Sequence, residues 1–197
     1  MATQFRHLLL CAALLAFAAP AARADLKALR ADGWHSWQVA AIGSASPICC
    51  FSWRGGVTSQ CGCNLDGHAG GVGSAGEFQG ASGDLQVYVR TEGGRVREIR
   101  ALSADCPVTT EAEIAVLDPV TSSESIDWLS SQVRVDGRLA DEAIMAISLH
   151  AGGGIDRLIE FVEDGSIDRN LRETALFWLA NSDSDQAFAY LDEILMR

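Results

Sequence analysis

The chain has 197 residues, 48% of them hydrophobic, and 15 Lys and Arg stand against 26 Asp and Glu for a formal net charge of -11. That is room for one domain or two small ones, with enough apolar content to build a core. Phosphate neutralisation needs basic surface, and Lys27 is the only lysine, so nucleic acid and anionic lipid are excluded as expected partners.

Residues 1–24 read as a signal peptide. Arg6 and His7 open it, Leu8 to Ala19 is an unbroken apolar run, and Ala22-Arg23-Ala24 is a small-x-small cleavage site. As a helix that run spans about 18 Å, short of the roughly 30 Å hydrocarbon core, so no stable membrane insertion is expected after cleavage. The expected mature protein begins at Asp25, loses Arg6 and Arg23 from its basic count, and is periplasmic or secreted.

Residues 25–119 form an expected β-rich, cysteine-containing region. Asp25 to Arg30 suggests a short helix, and Trp37, Val39 and Ala41 alternate with Gln38 and Ala40 as in a half-buried strand. Cys49-Cys50-Phe51-Ser52-Trp53 reads as a second strand stopped by Gly55-Gly56. The glycine-rich loop 67–83 is structureless by composition. Leu85, Val87 and Val89 alternate again, and Glu92-Gly93-Gly94 turns the chain into a returning strand from Arg95 to Leu102, the best hairpin signal present. Ile114 to Leu117 is a short apolar run before Asp118-Pro119.

Export changes how the cysteines read, because clustered cysteines in an oxidising compartment default to disulfides. The disulfide candidates are Cys49, Cys50, Cys61, Cys63 and Cys106, enough for two bridges with one thiol left over. Spacing does not choose the pairing. At least one tie from Cys49/Cys50 to Cys61/Cys63 is expected, and a second, to Cys106, would close a long loop worth about 3–4 kcal/mol. The alternative is a thiol-based redox sensor or a metal binder, with Cys49, Cys50, Cys61, Cys63 and His68 as ligands. Structural zinc sites usually space cysteine pairs by two to four residues, which adjacent and one-apart pairs do not match. There is no C-x-x-C for thioredoxin-like exchange.

Residues 120–135 hold an expected capping helix, opened by the T-x-x-E box of Thr121 and Glu124. Residues 136–197 then change character. Leu139, Ala143, Ile144 and Ile147 share one helical face, and Ile155, Leu158, Ile159 and Val162 share another. Shifted by 32, these become Leu171, Ala175, Leu176 and Leu179, then Ala187, Tyr190, Leu191 and Ile194, all apolar. The pattern is two helix–turn–helix units, an α-solenoid signature whose apolar ends need covering. The expected fold is α+β: an N-terminal disulfide-tied β-containing part packed on two stacked helix pairs.

The segment Arg172-Glu173-Thr174-Ala175-Leu176-Phe177-Trp178-Leu179-Ala180 is similar to the R-x-x-A-L-F-W-L-A helix common in short bacterial HEAT repeats. More widely, the chain resembles a group of exported bacterial HEAT-repeat proteins of uncharacterised function. Cys49-Cys50-Phe51 matches that group's cysteine-cysteine-aromatic segment, and Cys63-Asn64-Leu65-Asp66 its C-x-L-acidic segment. Ser103-Ala104-Asp105-Cys106 matches its turn ending in Asp-Cys, and Leu139 to Ala151 its helix ending in Leu-His. Cys61 is extra relative to the pattern, and the loop from Gly67 to Gly83 is longer. The resemblance implies a fold and a location; it supplies no activity.

Catalytic motifs are scarce. Gly71-Val72-Gly73-Ser74-Ala75-Gly76 matches G-x-G-x-x-G but lacks the flanking strand and helix that dinucleotide binding needs, and no cofactor is expected. His35 reads as a strand-entry residue, His150 as a helix-end residue favouring the C-terminal dipole, and only His68 lies near a thiol. A hydrolase built on Cys63 and His68 is the weakest reading, since a glycine-rich loop holds such a pair poorly. Phe177 and Trp178 are the interaction-surface candidates, because both cannot point inward with Leu176 and Leu179. Their bland role is packing between neighbouring helix pairs. The expected function is a non-enzymatic protein–protein interaction module with a protein partner.

Overall fold

The computed structural model describes residues 26, 29–43, 48–54, 57–60, 63–67, 72–74, 83–117, 119–135 and 137–196. The expected signal peptide, Cys61, His68 and most of the glycine-rich loop lie outside the described residues. The strands are β1 (Gly33–Ala40), β2 (Ile48–Arg54), β3 (Val57–Gln60), β4 (Cys63–Asn64), β5 (Val72–Ser74), β6 (Asp84–Glu92), β7 (Arg95–Ser103), β8 (Val108–Thr109) and β9 (Ile114–Val116). Five helices follow: α1 (Ser122–Gln132), α2 (Gly137–Ser148), α3 (Gly154–Glu163), α4 (Arg169–Ala180) and α5 (Asp185–Leu195).

A four-stranded sheet in the order β7-β6-β1-β9 is the middle layer. Its hairpin β6–β7 turns on Gly93 and Gly94, both at positive φ (59° and 69°), which a Cβ would strain. Strand β1 pairs antiparallel with β6, setting Trp37 opposite Val87 and Val39 opposite Leu85. These side chains, with Val89, Ile99 and Ala101, belong to the core shared with the helices. The opposite face carries Trp34, Tyr88 and Leu102, packed in a second cluster with Cys49, Cys50, Cys63, Leu65 and Cys106. Both faces are therefore covered. That is why Trp34 to Trp37 are buried without interruption, while Trp37 to Ala40 alternate between buried and exposed as expected of a half-buried strand.

The expected stop at Gly55-Gly56 separates two paired strands, since β2 continues antiparallel into β3. The glycine-rich loop also departs from expectation. Its residues Val72–Ser74 form β5 and pair with Ile48 to Cys50 of β2.

Helix α1 opens as its sequence demands: the Thr121 hydroxyl accepts from the Glu124 amide, and the Glu124 carboxylate accepts from the Thr121 amide. The bounds of α2 and α4 are offset by 32 residues at both ends. Helices α2 and α3 pack together, as do α4 and α5, with α2 also against α4 and α3 against α5. Polar links join the equivalent helices: Thr174 on α4 donates to Asp141 on α2 at 3.1 Å, and Gln186 on α5 donates to Asp156 on α3. The turn before α3 needs glycine because a Cβ on Gly154 would sit 2.3 Å from the carbonyl oxygen of Ile147.

Helices and sheet are joined through backbone as well as core. The Ile42 amide donates to Leu149 O at 2.8 Å, and the Ala151 amide donates to Ala40 O at 2.9 Å, so the end of α2 extends β1. Among the described residues no helix is long and apolar enough to cross a membrane.

Candidate functional site

The cysteines assemble first. The sulfurs of Cys49 and Cys106 lie at the bonding distance of 2.15 Å, as do those of Cys50 and Cys63. Adjacent Cys49 and Cys50 thus reach separate partners, and Cys63 Sγ stands 3.8 Å from Cys106 Sγ. All four residues are buried. Sulfurs joined in pairs cannot ligate a metal as thiolates, and Cys61 and His68, the other two ligands of the metal alternative, lie outside the described residues.

The segment Cys63–Gly67 is held by more than its bridge. Strand β4 pairs parallel with β8, and the Leu65 amide donates to Thr109 O at 2.9 Å. Arg100, 5% exposed, reaches across the sheet face to donate to Asn64 O at 2.9 Å and Gly67 O at 3.0 Å. Its guanidinium also pairs with Glu98 and lies 5.8 Å from the centre of the Trp34 ring. The Trp34 indole donates to Asp66 Oδ1 at 3.1 Å, while Asp66 Oδ2 accepts from the Glu111 amide at 2.6 Å. The Glu111 amide, more than any other group, holds the Asp66 carboxyl below its usual range. Every part of Cys-x-Leu-Asp thus serves the fold, through a bridge, a buried apolar anchor and a carboxylate that ties three segments.

A serine–histidine pair lies on the other side of the sheet. Ser125 Oγ and His150 Nε2 are 2.7 Å apart, and the Trp37 indole donates to Ser125 Oγ at 2.8 Å. His150 Nδ1 lies 2.8 Å from Ala146 O, a group that only accepts, so Nδ1 carries the proton and Nε2 accepts from Ser125. The helix-end position expected of His150 is observed, but its ring is buried and caps Ala146 as a neutral donor. Burial pushes its pKa down to about 4. Despite the nucleophile-like pairing, Ser125 is 0% exposed and His150 1%, so no substrate reaches them. Trp37–Ser125–His150 is a buried polar chain that fastens α1 and α2 to the sheet. His35, expected at a wet edge, is instead 5% exposed, with Nε2 2.8 Å from Ala31 O.

The open end of the helices is the remaining surface. On α4, Trp178 packs against the core while Phe177 is 57% exposed, its ring edge-on to Trp178 at 5.4 Å. Helix α5 buries only Ala187. Phe188, Leu195 and Met196 are 73%, 82% and 82% exposed. Asp183, Asp185, Asp192 and Glu193 are exposed around them. Sequence reasoning singles out Phe177 but not Phe188; the available signal is an aromatic residue lying off the apolar stripe of its own helix. It misses Arg100 too, though an arginine between Ile99 and Ala101 in a strand hints at a buried clamp. No family model matches the chain, and no curated protein and no solved structure matches it significantly.

Proposed function

We propose that this is an exported, non-enzymatic interaction module in which two HEAT-like helix pairs, sealed at one end by a cystine-braced sheet, offer their other end to a protein partner. One observation carries the reading. The last helix buries Ala187 alone, and Phe188, Leu195 and Met196 are left to solvent; large apolar side chains gathered at one exposed helix suit a partner-binding surface. The exposed carboxylates around it favour a partner with basic groups at the rim of an apolar contact. The 32-residue offset and the polar links between equivalent helices support the repeat reading. A thiol sensor or metal binder gains less support, because three of its cysteines, Cys49, Cys50 and Cys63, are buried in disulfide pairs.

The test is the double variant Phe188→Ser/Leu195→Ser, expressed in the native envelope and crosslinked in place. Melting temperature should hold, because both residues are exposed, and the crosslinked partner band should disappear. An unchanged crosslinking pattern refutes the proposal.

A further inference from the structure

A cleft that shares no residue with the open end lies between Leu26, Leu29 and Arg30, the β6–β7 turn and the C-terminal half of α1. The cleft measures about 740 Å³, within the roughly 300–1,000 Å³ usual for small-molecule sites. Its floor is apolar: Leu26, Trp128 and Leu139 are buried core residues, and Leu29 and Val96 pack beside them. Three arginines, Arg30, Arg95 and Arg97, line it from two different segments.

That clustering runs against the composition. In a chain of net charge -11, three arginines line one cleft. Among the described residues Arg97 has only a long, exposed pairing with Glu92 at 3.6 Å. Arg30 and Arg95 form no ion pair among the described residues. Asp127, the one carboxylate among the described lining residues, is already held by Arg157 of α3 at 2.9 Å. Asp32 lies at the β6–β7 turn and accepts from the Gly94 amide at 3.3 Å. Arg30 and Arg95 are thus left without an anionic partner among the described residues, which a bound carboxylate would supply. Cationic mouth and apolar floor together specify an amphiphile.

We infer that this cleft binds a single-chain carboxylate amphiphile of the fatty-acid class, its carboxylate between Arg30 and Arg95 and its chain along Leu26, Val96, Trp128 and Leu139. The inference is independent of the helix-end proposal, because the two surfaces share no residue.

Titration calorimetry of the purified protein with decanoate, decyltrimethylammonium and acetate is the test. Saturable one-to-one binding is expected for decanoate and none for the cation, with acetate far weaker because it lacks a chain. Arg30→Gln/Arg95→Gln, which alters two exposed side chains, should weaken decanoate by about tenfold or more, since a hydrogen bond to a charged group contributes about 1.5–3 kcal/mol. Its melting temperature should match that of the parent protein. Failure of decanoate to saturate, equal binding of the cation, acetate binding as well as decanoate, or an unaffected double variant would each overturn the assignment.

Discussion

The buried His150 makes a quantitative claim about acid stability. Its pKa is about 4 in the folded protein and 6.5 when unperturbed, so the unfolded chain takes up the proton first as pH falls. Stability from this group is complete above about pH 6.5, declines as pH drops towards 4, and does not change further below that. A gap of about 2.5 units, at about 1.36 kcal/mol each, amounts to about 3 kcal/mol. That is a large share of the roughly 5–15 kcal/mol that holds a domain together. The cause is structural. Ala146 O already uses the Nδ1 proton, and Ser125 donates to Nε2 while accepting from Trp37. A second proton would set two donors against each other in a site closed to solvent.

Urea unfolding of the parent protein and of His150→Gln, each at pH 7.5 and 4.5, isolates this contribution. Glutamine does not titrate. The parent should lose about 2–3 kcal/mol more than the variant between the two conditions. Other groups cancel in the difference. Burial raises the Glu142 pKa, so it favours folding as pH falls, whereas Asp66 and Asp164, held low by hydrogen bonds, oppose folding only in stronger acid. In the parent, NMR of the imidazole should show one histidine titrating near 4. A pH loss equal in both proteins, or a His150 titration near 6.5, refutes the reasoning.

Gly154→Ala should lower stability by about 1–3 kcal/mol in a urea melt, because its Cβ would press on Ile147 O at 2.3 Å. Gly137→Ala, where a Cβ meets nothing within 4 Å, should not destabilise; equal losses for the two would exclude the close approach as the cause. Replacing the Cys49–Cys106 pair by serine should cost about 4 kcal/mol for its 57-residue separation, against about 3 for the 13 of Cys50–Cys63. A urea midpoint unmoved by either replacement would refute a bracing role for the bridges.

Local rules made the β6–β7 hairpin, α1 and the apolar stripes of α2 to α5 readable, because each is written in neighbouring residues: a Gly-Gly turn, a capping box, a period of 3.6. What required coordinates was long-range. The cystine layer joins residues 57 apart in sequence. By covering the second sheet face it buries Trp34 to Trp37 without a break, ahead of the alternation that Trp37 to Ala40 keep. Strand β5 hides in a glycine-rich stretch because its pairing with β2 is made by backbone, to which side-chain patterning is blind. His150 looked like a helix-end residue since Ser125 and Trp37 approach it from 25 and 113 positions away.

The two helix pairs, alike in sequence, differ in what covers them. Leu139, Ala143, Ile144 and Ile147 are all buried, whereas their shifted equivalents Leu171 and Leu176 are only partly so. Ile155 and Leu158 are buried, while Tyr190 is half-exposed. In the first pair α2 packs on β7 as well as on α4, whereas α4 and α5 pack only on helices among the principal contacts. Were the open end made for another copy of the same repeat, its outward positions should repeat the polar links that join the existing pairs. Asp141 has Glu173 as its equivalent, which would preserve one link. Asp156, which accepts from Gln186, has Phe188 as its equivalent. An aromatic ring 73% exposed cannot accept that hydrogen bond, but it can enter an apolar recess. Under the proposed reading the exposed face has exchanged a stacking group for an anchoring one. Phe188→Asp therefore probes the choice directly: it should restore the acceptor pattern of α3 and abolish partner crosslinking, and persistence of the crosslink would show that the ring is not the anchor.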